Sequence, residues 1–438
     1  MSNYVEAGRR PFGGGARDNS PRVMPVARAS DEPQGLERAA YYSLLAFAAA
    51  LPFSIFVSET LLTVTGVLWL TMVIRRQEGI GVPQMFWPLA AYGLATLISA
   101  AFSVDPRVSF IDCKQLLLFS IVPIAYRLLP GRRALTVIDI IITAGAISAA
   151  LGLVQFGILK SDHLGQRPQG SLGMYMTYSG QLMLIACTAA GRILFRNNDR
   201  AWAALVMPAL VAALAVTLSR NAWVGACAGI GLLLVIRDFR LVALLPVVAA
   251  VFIALAPAPL TDRLYSTFRL NTIRHDSATT ESSLQSNRDR LAMIRTGLRI
   301  IKDDPLTGVG PDMVIQVYPG YRDPKAVKQL NPHLHNVPLQ IAAERGLPAL
   351  AVWLWFVYTL LADFLRMRKA APWPSITTAA LASVVAMVAA GMFEYNFGDS
   401  EFLMLFLLLV ALPYAADRVA SSSTPDGPAG VPVVRPLT

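Results

Sequence analysis

Long apolar blocks recur down nearly the whole of this chain, and they leave it few ways to fold. They fall near 39–57, 59–74, 85–103, 115–129, 134–157, 172–191, 201–218, 221–236, 241–258, 347–365, 376–394 and 402–416. A helix needs about 20 mostly apolar residues to cross the hydrocarbon of a bilayer. The fold class expected is therefore an all-α polytopic membrane protein with about 12 transmembrane helices. Two blocks, 59–74 and 115–129, are short, and Pro123 interrupts the second, so eleven or thirteen spans stay open. Charged residues make up 15% of the chain, against about 25% in soluble proteins. A single soluble domain, a disordered chain and a disulfide-stapled one are all excluded.

The three cysteines, Cys113, Cys187 and Cys227, have no spacing that suggests a disulfide framework or a metal site. The net charge is +10. Nucleic acid is one partner for a basic protein, but here the charges sit between apolar blocks rather than along one soluble face. Anionic lipid headgroups or a phosphorylated lipid fit better. Residues 1–38 are polar and rich in Gly, Pro and Arg, and read as a disordered cytoplasmic tail without a cleavable signal. Residues 417–438, with Pro425, Pro428, Pro432 and Pro436, read as a second tail.

Basic residues orient the spans. Arg75 and Arg76, Arg132 and Arg133, Arg192, Arg196 and Arg200, Arg237 and Arg240, and Arg366, Arg368 and Lys369 each follow an even-numbered span. Both termini are then cytoplasmic. Residues 39–258 carry spans 1–9, residues 347–416 carry spans 10–12, and residues 259–346 form one large loop on the opposite side. Within it, Leu291, Ile294, Leu298 and Ile301 recur at spacings of three and four, which predicts an amphipathic helix lying along the membrane surface or capping the bundle. Pro305, Gly308 and Gly310 end it in a turn.

Few residues carry candidate chemistry. Arg220, in Leu218-Ser219-Arg220-Asn221, lies at the junction of spans 7 and 8. It reads either as an interfacial anchor or as an anion ligand with Ser219 and Asn221 beside it. His335, in Pro332-His333-Leu334-His335-Asn336, precedes a helix expected to start near Pro338. There it is either a loop histidine or a general base kept neutral by the helix dipole. The His-x-His pair lacks the companions of a zinc site, so no metal is expected. No nucleotide loop or nucleophile elbow is present, and no cofactor is expected.

Four stretches taken in order resemble the O-antigen ligase and O-antigen polymerase superfamily, most closely its lipopolysaccharide ligases. They are Leu218-Ser219-Arg220; Asn287-Arg288 opening an amphipathic helix; Pro305-Leu306-Thr307-Gly308-Val309-Gly310; and His335-Asn336 followed by Leu339, Glu344 and Gly346. The resemblance implies an inner-membrane glycosyltransferase whose site faces the periplasm. It would move a glycan from undecaprenyl diphosphate to a sugar of the lipid A core, among membrane lipids and without nucleic acid. Carried over residue by residue, His335 is the base and Arg220 and Arg288 hold the diphosphate. Arg167, in Arg167-Pro168-Gln169-Gly170, is a further basic position, and Asn336, Ser219, Gly308 and Gly310 support the site. A polymerase or a protein O-oligosaccharyltransferase shares these motifs. A secondary transporter is the rival from another class; it would want polar groups near the midplane, where Asp139 is the clearest acidic residue.

Overall fold

The computed structural model describes residues 31–161, 166–195, 200–244, 278–324, 326, 328–370 and 372–422, and these form helices and no strand. In chain order they are α1 (Asp31–Ala50), α2 (Ile55–Arg76), α3 (Phe86–Ala101), α4 (Pro106–Asp112), α5 (Ile121–Leu128), α6 (Arg132–Gly157), α7 (Tyr175–Phe195), α8 (Ala201–Val216), α9 (Arg220–Arg237), α10 (Ala278–Asp303), α11 (Val314–Tyr321), α12 (Val337–Ala370), α13 (Pro374–Gly391) and α14 (Ser400–Ser422). Seven segments among the described residues are long and apolar enough to cross a membrane, and α3 and α8 are shorter apolar helices. The expected span 241–258 lies almost wholly outside the described residues, as do residues 1–30 and 423–438 of the expected tails.

Boundaries differ from the sequence reading where a cap outranks hydropathy. The first break falls at residues 51–54 rather than after 57. Pro52 stops α1, and the Ser54 side chain accepts from Val57 N at 3.4 Å to open α2. The block expected at 115–129 starts at Pro106, because the Asp105 carboxylate accepts from Arg107 N at 3.0 Å and Pro106 takes the first helical position. A 3-10 stretch at Cys113–Ser120 joins α4 to α5. Residues 31–38, expected as tail, already belong to α1, and α14 continues to Ser422.

The bundle is built around α7 and α13, which are buried along most of their length. Gly225 and Gly229 let α9 lie close against them: a Cβ at Gly225 would meet Met183 Sδ at 2.2 Å, and one at Gly229 would meet Ala382 O at 2.7 Å. Small residues four apart are how apolar helices approach when lipid supplies no hydrophobic drive. Basic residues gather at one end. Glu37 bridges Arg76 and Arg133, and Glu78 bridges Arg76 and Arg127, tying α1, α2, α5 and α6 together there.

At the other end α10, α11 and the start of α12 form a cap with its own core of Met293, Ile300, Val309, Met313, Val314, Tyr318, Leu334 and Ala343. The sequence stripe finds this helix but not its packed face. Asp289, Met293, Thr296 and Ile300 are among its buried positions, while Leu291, Ile294 and Leu298 stay exposed. The packed face is polar in part because its polar groups have partners: Asp289 accepts from Lys328 N at 3.2 Å, and Thr296 accepts from Asp323 N at 3.2 Å.

Candidate active site

The turn Pro305–Gly310 fixes the site's floor. Gly346 interrupts α12 with φ +79, and the turn docks into that kink. Val309 N donates to Ala343 O at 3.0 Å, Gly310 N to Glu344 O at 2.8 Å and Leu347 N to Pro305 O at 2.8 Å. Gly308 and Gly310 both have positive φ, and a Cβ would strike Glu344 backbone at 2.3 Å or Ser103 Oγ at 2.0 Å. Their support is structural: they set where the first turns of α12 stand.

His335 is held immediately before those turns. Asn336 caps α12 by accepting from Leu339 N at 2.8 Å, and its amide donates to Met392 O at 3.0 Å. Leu334 is buried in the cap core, and its N–H donates to Gln340 Oε1 at 2.6 Å. His335 itself has φ +49, a left-handed backbone that a side chain disfavours. Of the five non-glycine residues with positive φ among the described residues, three (Leu218, Asp312 and His335) lie around this site. Such strain persists where the surroundings fix it, and clusters at functional centres.

The partner of His335 is Glu394, in the connection between α13 and α14. Its carboxylate oxygens stand 2.9 and 3.0 Å from His335 Nδ1, and Oε1 stands 3.4 Å from His333 Nε2. Burial alone would raise the Glu394 carboxyl, but hydrogen bonds and charge from His333 and His335 outweigh it and hold it at about 2. An ionised carboxylate only accepts. Nδ1 of His335 therefore donates, and a neutral ring is left with Nε2 as proton acceptor, the logic by which a carboxylate orients a catalytic imidazole. The ligand atoms of His333, His335 and Glu394 also lie within 4.8 Å of one another, a spacing that suits a cation.

Arg220 opens α9 at the same end. Leu218, with φ +55, makes the reversal from α8, and Ser219 donates to Asn221 Oδ1 at 2.6 Å while accepting from Ser179 at 3.0 Å. The charges of Arg290 and Arg167 act on Arg220. Arg167 lies over the Tyr175 ring at 4.2 Å, on a loop held by Gln155, which accepts from Gly170 N at 3.0 Å. Arg290 lies over Phe393 at 5.9 Å, next in sequence to Glu394. Arg288, the arginine singled out in the sequence, is exposed on α10, and Arg290, two residues on, is the one whose charge acts on Arg220. The described residues thus bring Arg167, Arg220 and Arg290 together beside the His335–Glu394 pair. His163 and His275 lie outside the described residues.

The family model described as O-Antigen ligase matches residues 203–354. Over that stretch, about a third of its length, the chain is similar to the O-antigen ligase family. The matched stretch runs from α8 past the kink of α12, so it holds Arg220, Arg288, Arg290 and His335 but neither Arg167 nor Glu394. No curated protein matches the chain. The likeness points to glycosyl transfer in general, and the apolar helices to a membrane setting.

Glu394 and Arg290 were missed from the sequence. For Glu394 a signal existed: it is an acidic residue in a short connection that otherwise separates two apolar spans, on the same side as His335. For Arg290 none did, since Arg288, Arg290 and Arg295 look alike along one helix.

Proposed function

We propose that the protein is an O-antigen ligase of the bacterial inner membrane, with about twelve spans and its site facing the periplasm. It moves a glycan from undecaprenyl diphosphate to a sugar hydroxyl of the lipid A core, with inversion and without a metal. The observation that carries this reading is the His335–Glu394 pair beside Arg167, Arg220 and Arg290. The acceptor oxygen attacks the anomeric carbon while its proton passes to His335 Nε2. The bond to the diphosphate breaks, and its electron pair stays on the leaving oxygen. Guanidinium groups stay charged and bind phosphate oxygens through paired N–H groups, so they favour the charge developing there. Arg288, exposed two residues before Arg290 on α10, is the outermost contact proposed for the lipid diphosphate. The carboxylate already occupied by both imidazoles favours a base over a metal ligand set.

Topology supports the span count. The end of α9, with Arg237, lies at the basic end, while Arg290 on α10 lies at the site end. The twelve-span reading assigns the crossing between these two ends to the apolar block 241–258, which lies almost wholly outside the described residues.

The test is transfer by the purified protein from a lipid-diphosphate glycan to lipid A-core. His335→Ala is expected to lower kcat by roughly 10²–10⁴-fold, the range of a lost general base, with folding retained. Undiminished transfer would overturn the assignment. Transfer to a second lipid-linked unit instead of lipid A-core would make the protein a polymerase.

A further inference from the structure

We infer that the acceptor sugar enters a separate, carboxylate-lined chamber that takes an uncharged or amine-bearing ring and refuses one carrying phosphate or carboxylate. The inference rests on the transfer reading above and deepens it.

The chamber lies between the ends of α7, α9 and α12 and the α13–α14 connection, with a volume of about 280 Å³. That is the scale of a small ligand, since such pockets run to roughly 300–1,000 Å³, and not of a glycan chain. Among the described residues five carboxylates line it, those of Asp112, Asp312, Glu344, Glu394 and Asp399, and no Lys or Arg side chain does. Arg345 behind the wall pairs with Glu344 at 2.7 Å and Asp112 at 3.5 Å, which balances only part of this charge. Asp399 is occupied in capping α14 through Phe402 N at 2.9 Å. Asp312 bonds to no group among the described residues and is exposed to the chamber mouth. Burial and the neighbouring Asp112 raise its carboxyl.

Two sequence-adjacent pairs join this chamber to the cationic half. Asn221 lines the chamber, and Arg220 before it faces the arginines; Glu394 lines it, and Phe393 before it lies under Arg290. His333 also lines it, 4.5 Å ring to ring from His335. The site is therefore split by charge, with the base and its carboxylate on the border. A diphosphate has its ligands on one side. On the other, carboxylates accept hydrogen bonds from sugar hydroxyls or an ammonium group and oppose any further anion. Opposite signs in the two halves also stop donor and acceptor from exchanging places.

The probes are methyl β-glucoside and methyl β-glucosaminide, read by saturation-transfer NMR on the full-length protein in detergent, with no donor present. The amine-bearing ring should bind roughly fivefold more tightly than the neutral one. Asp312→Asn should bring that ratio close to one. Asn tolerates the left-handed backbone of Asp312, so the variant keeps its fold. Equal binding by the two probes, or a ratio unmoved in Asp312→Asn, overturns the chamber. In the transfer assay, a core acceptor phosphorylated on the accepting ring should be used at least tenfold less efficiently than its unphosphorylated form. Equal use also overturns it. The NMR arm needs no catalysis, so undiminished transfer in His335→Ala sinks the catalytic reading without touching the chamber. Transfer that ignores acceptor charge sinks the chamber alone.

Discussion

At the scale of single residues, Glu394 decides what His335 can do. It accepts from the imidazole Nδ1 and from Tyr395 N at 3.1 Å, so its position is fixed from two directions. A carboxylate in this place holds the tautomer and stabilises the imidazolium that forms as the acceptor proton moves. Glu394→Gln keeps the size and loses the charge. The expected outcome is a kcat lowered by about 10²-fold or more with donor KM unchanged, and partial rescue by Glu394→Asp. A loss in KM alone would make Glu394 a structural residue. The same group sets a pH dependence of stability. Its folded value is depressed from near 4.5 to about 2, so its contribution is present above 4.5 and is lost as pH falls toward 2. Melting temperature followed across that window should drop in the wild type and be flatter in Glu394→Gln.

At the scale of elements, the kink of α12 and the turn that fills it act as one piece. The first turns of α12 carry Asn336, Gln340 and Glu344 to the site, while the part beyond Gly346 is the membrane span. Gly308→Ala would force a side chain into a left-handed backbone, at about 1–2 kcal/mol, and into the Glu344 carbonyl carbon at 2.3 Å. A fall in thermal stability with activity lost in parallel is expected, measured by unfolding in detergent. Gly320→Ala, where nothing stands within 4 Å, is the control and should leave both unchanged. The sequence already showed this turn through its Gly308-Val309-Gly310 spacing, and it showed most helices through their apolar blocks. It singled out His335 and Arg220, which the fold brings to the same end of the bundle, because motif and span boundary coincide there. It could not show Arg290 over Arg288, since the choice depends on which face of α10 packs. Periodicity pointed to Leu291, Ile294 and Leu298, whereas buried partners for Asp289 and Thr296 rotate the helix the other way. The helix caps the bundle, the second of the two roles the sequence allowed, and its apolar stripe stays exposed.

At the scale of the whole molecule, both the location of the site and the supply of substrate depend on parity. Glu37, Glu78 and their arginines mark one end of the bundle, and short basic connections mark the side that stays in the cytoplasm. His335, Glu394, Arg167, Arg220 and Arg290 mark the other. The proposed transfer from a lipid-linked glycan held at the arginines needs that second end outside. Orientation therefore turns on whether the sequence between Arg237 and Ala278 crosses the bilayer once. A crossing gives an even number of spans, both termini inside, and α10 outside. Without it, α10 would share a side with Arg237, and the cap could not reach Phe393. Reporter fusions separate the two outcomes. A fluorescent protein fused after Asp238 should fold and fluoresce, and alkaline phosphatase fused after Ser277 should be active. Cytoplasmic reporting at both points would remove the twelve-span layout and with it the periplasmic site. Opposite reporting would leave the arginines facing the compartment in which a lipid diphosphate can meet its acceptor.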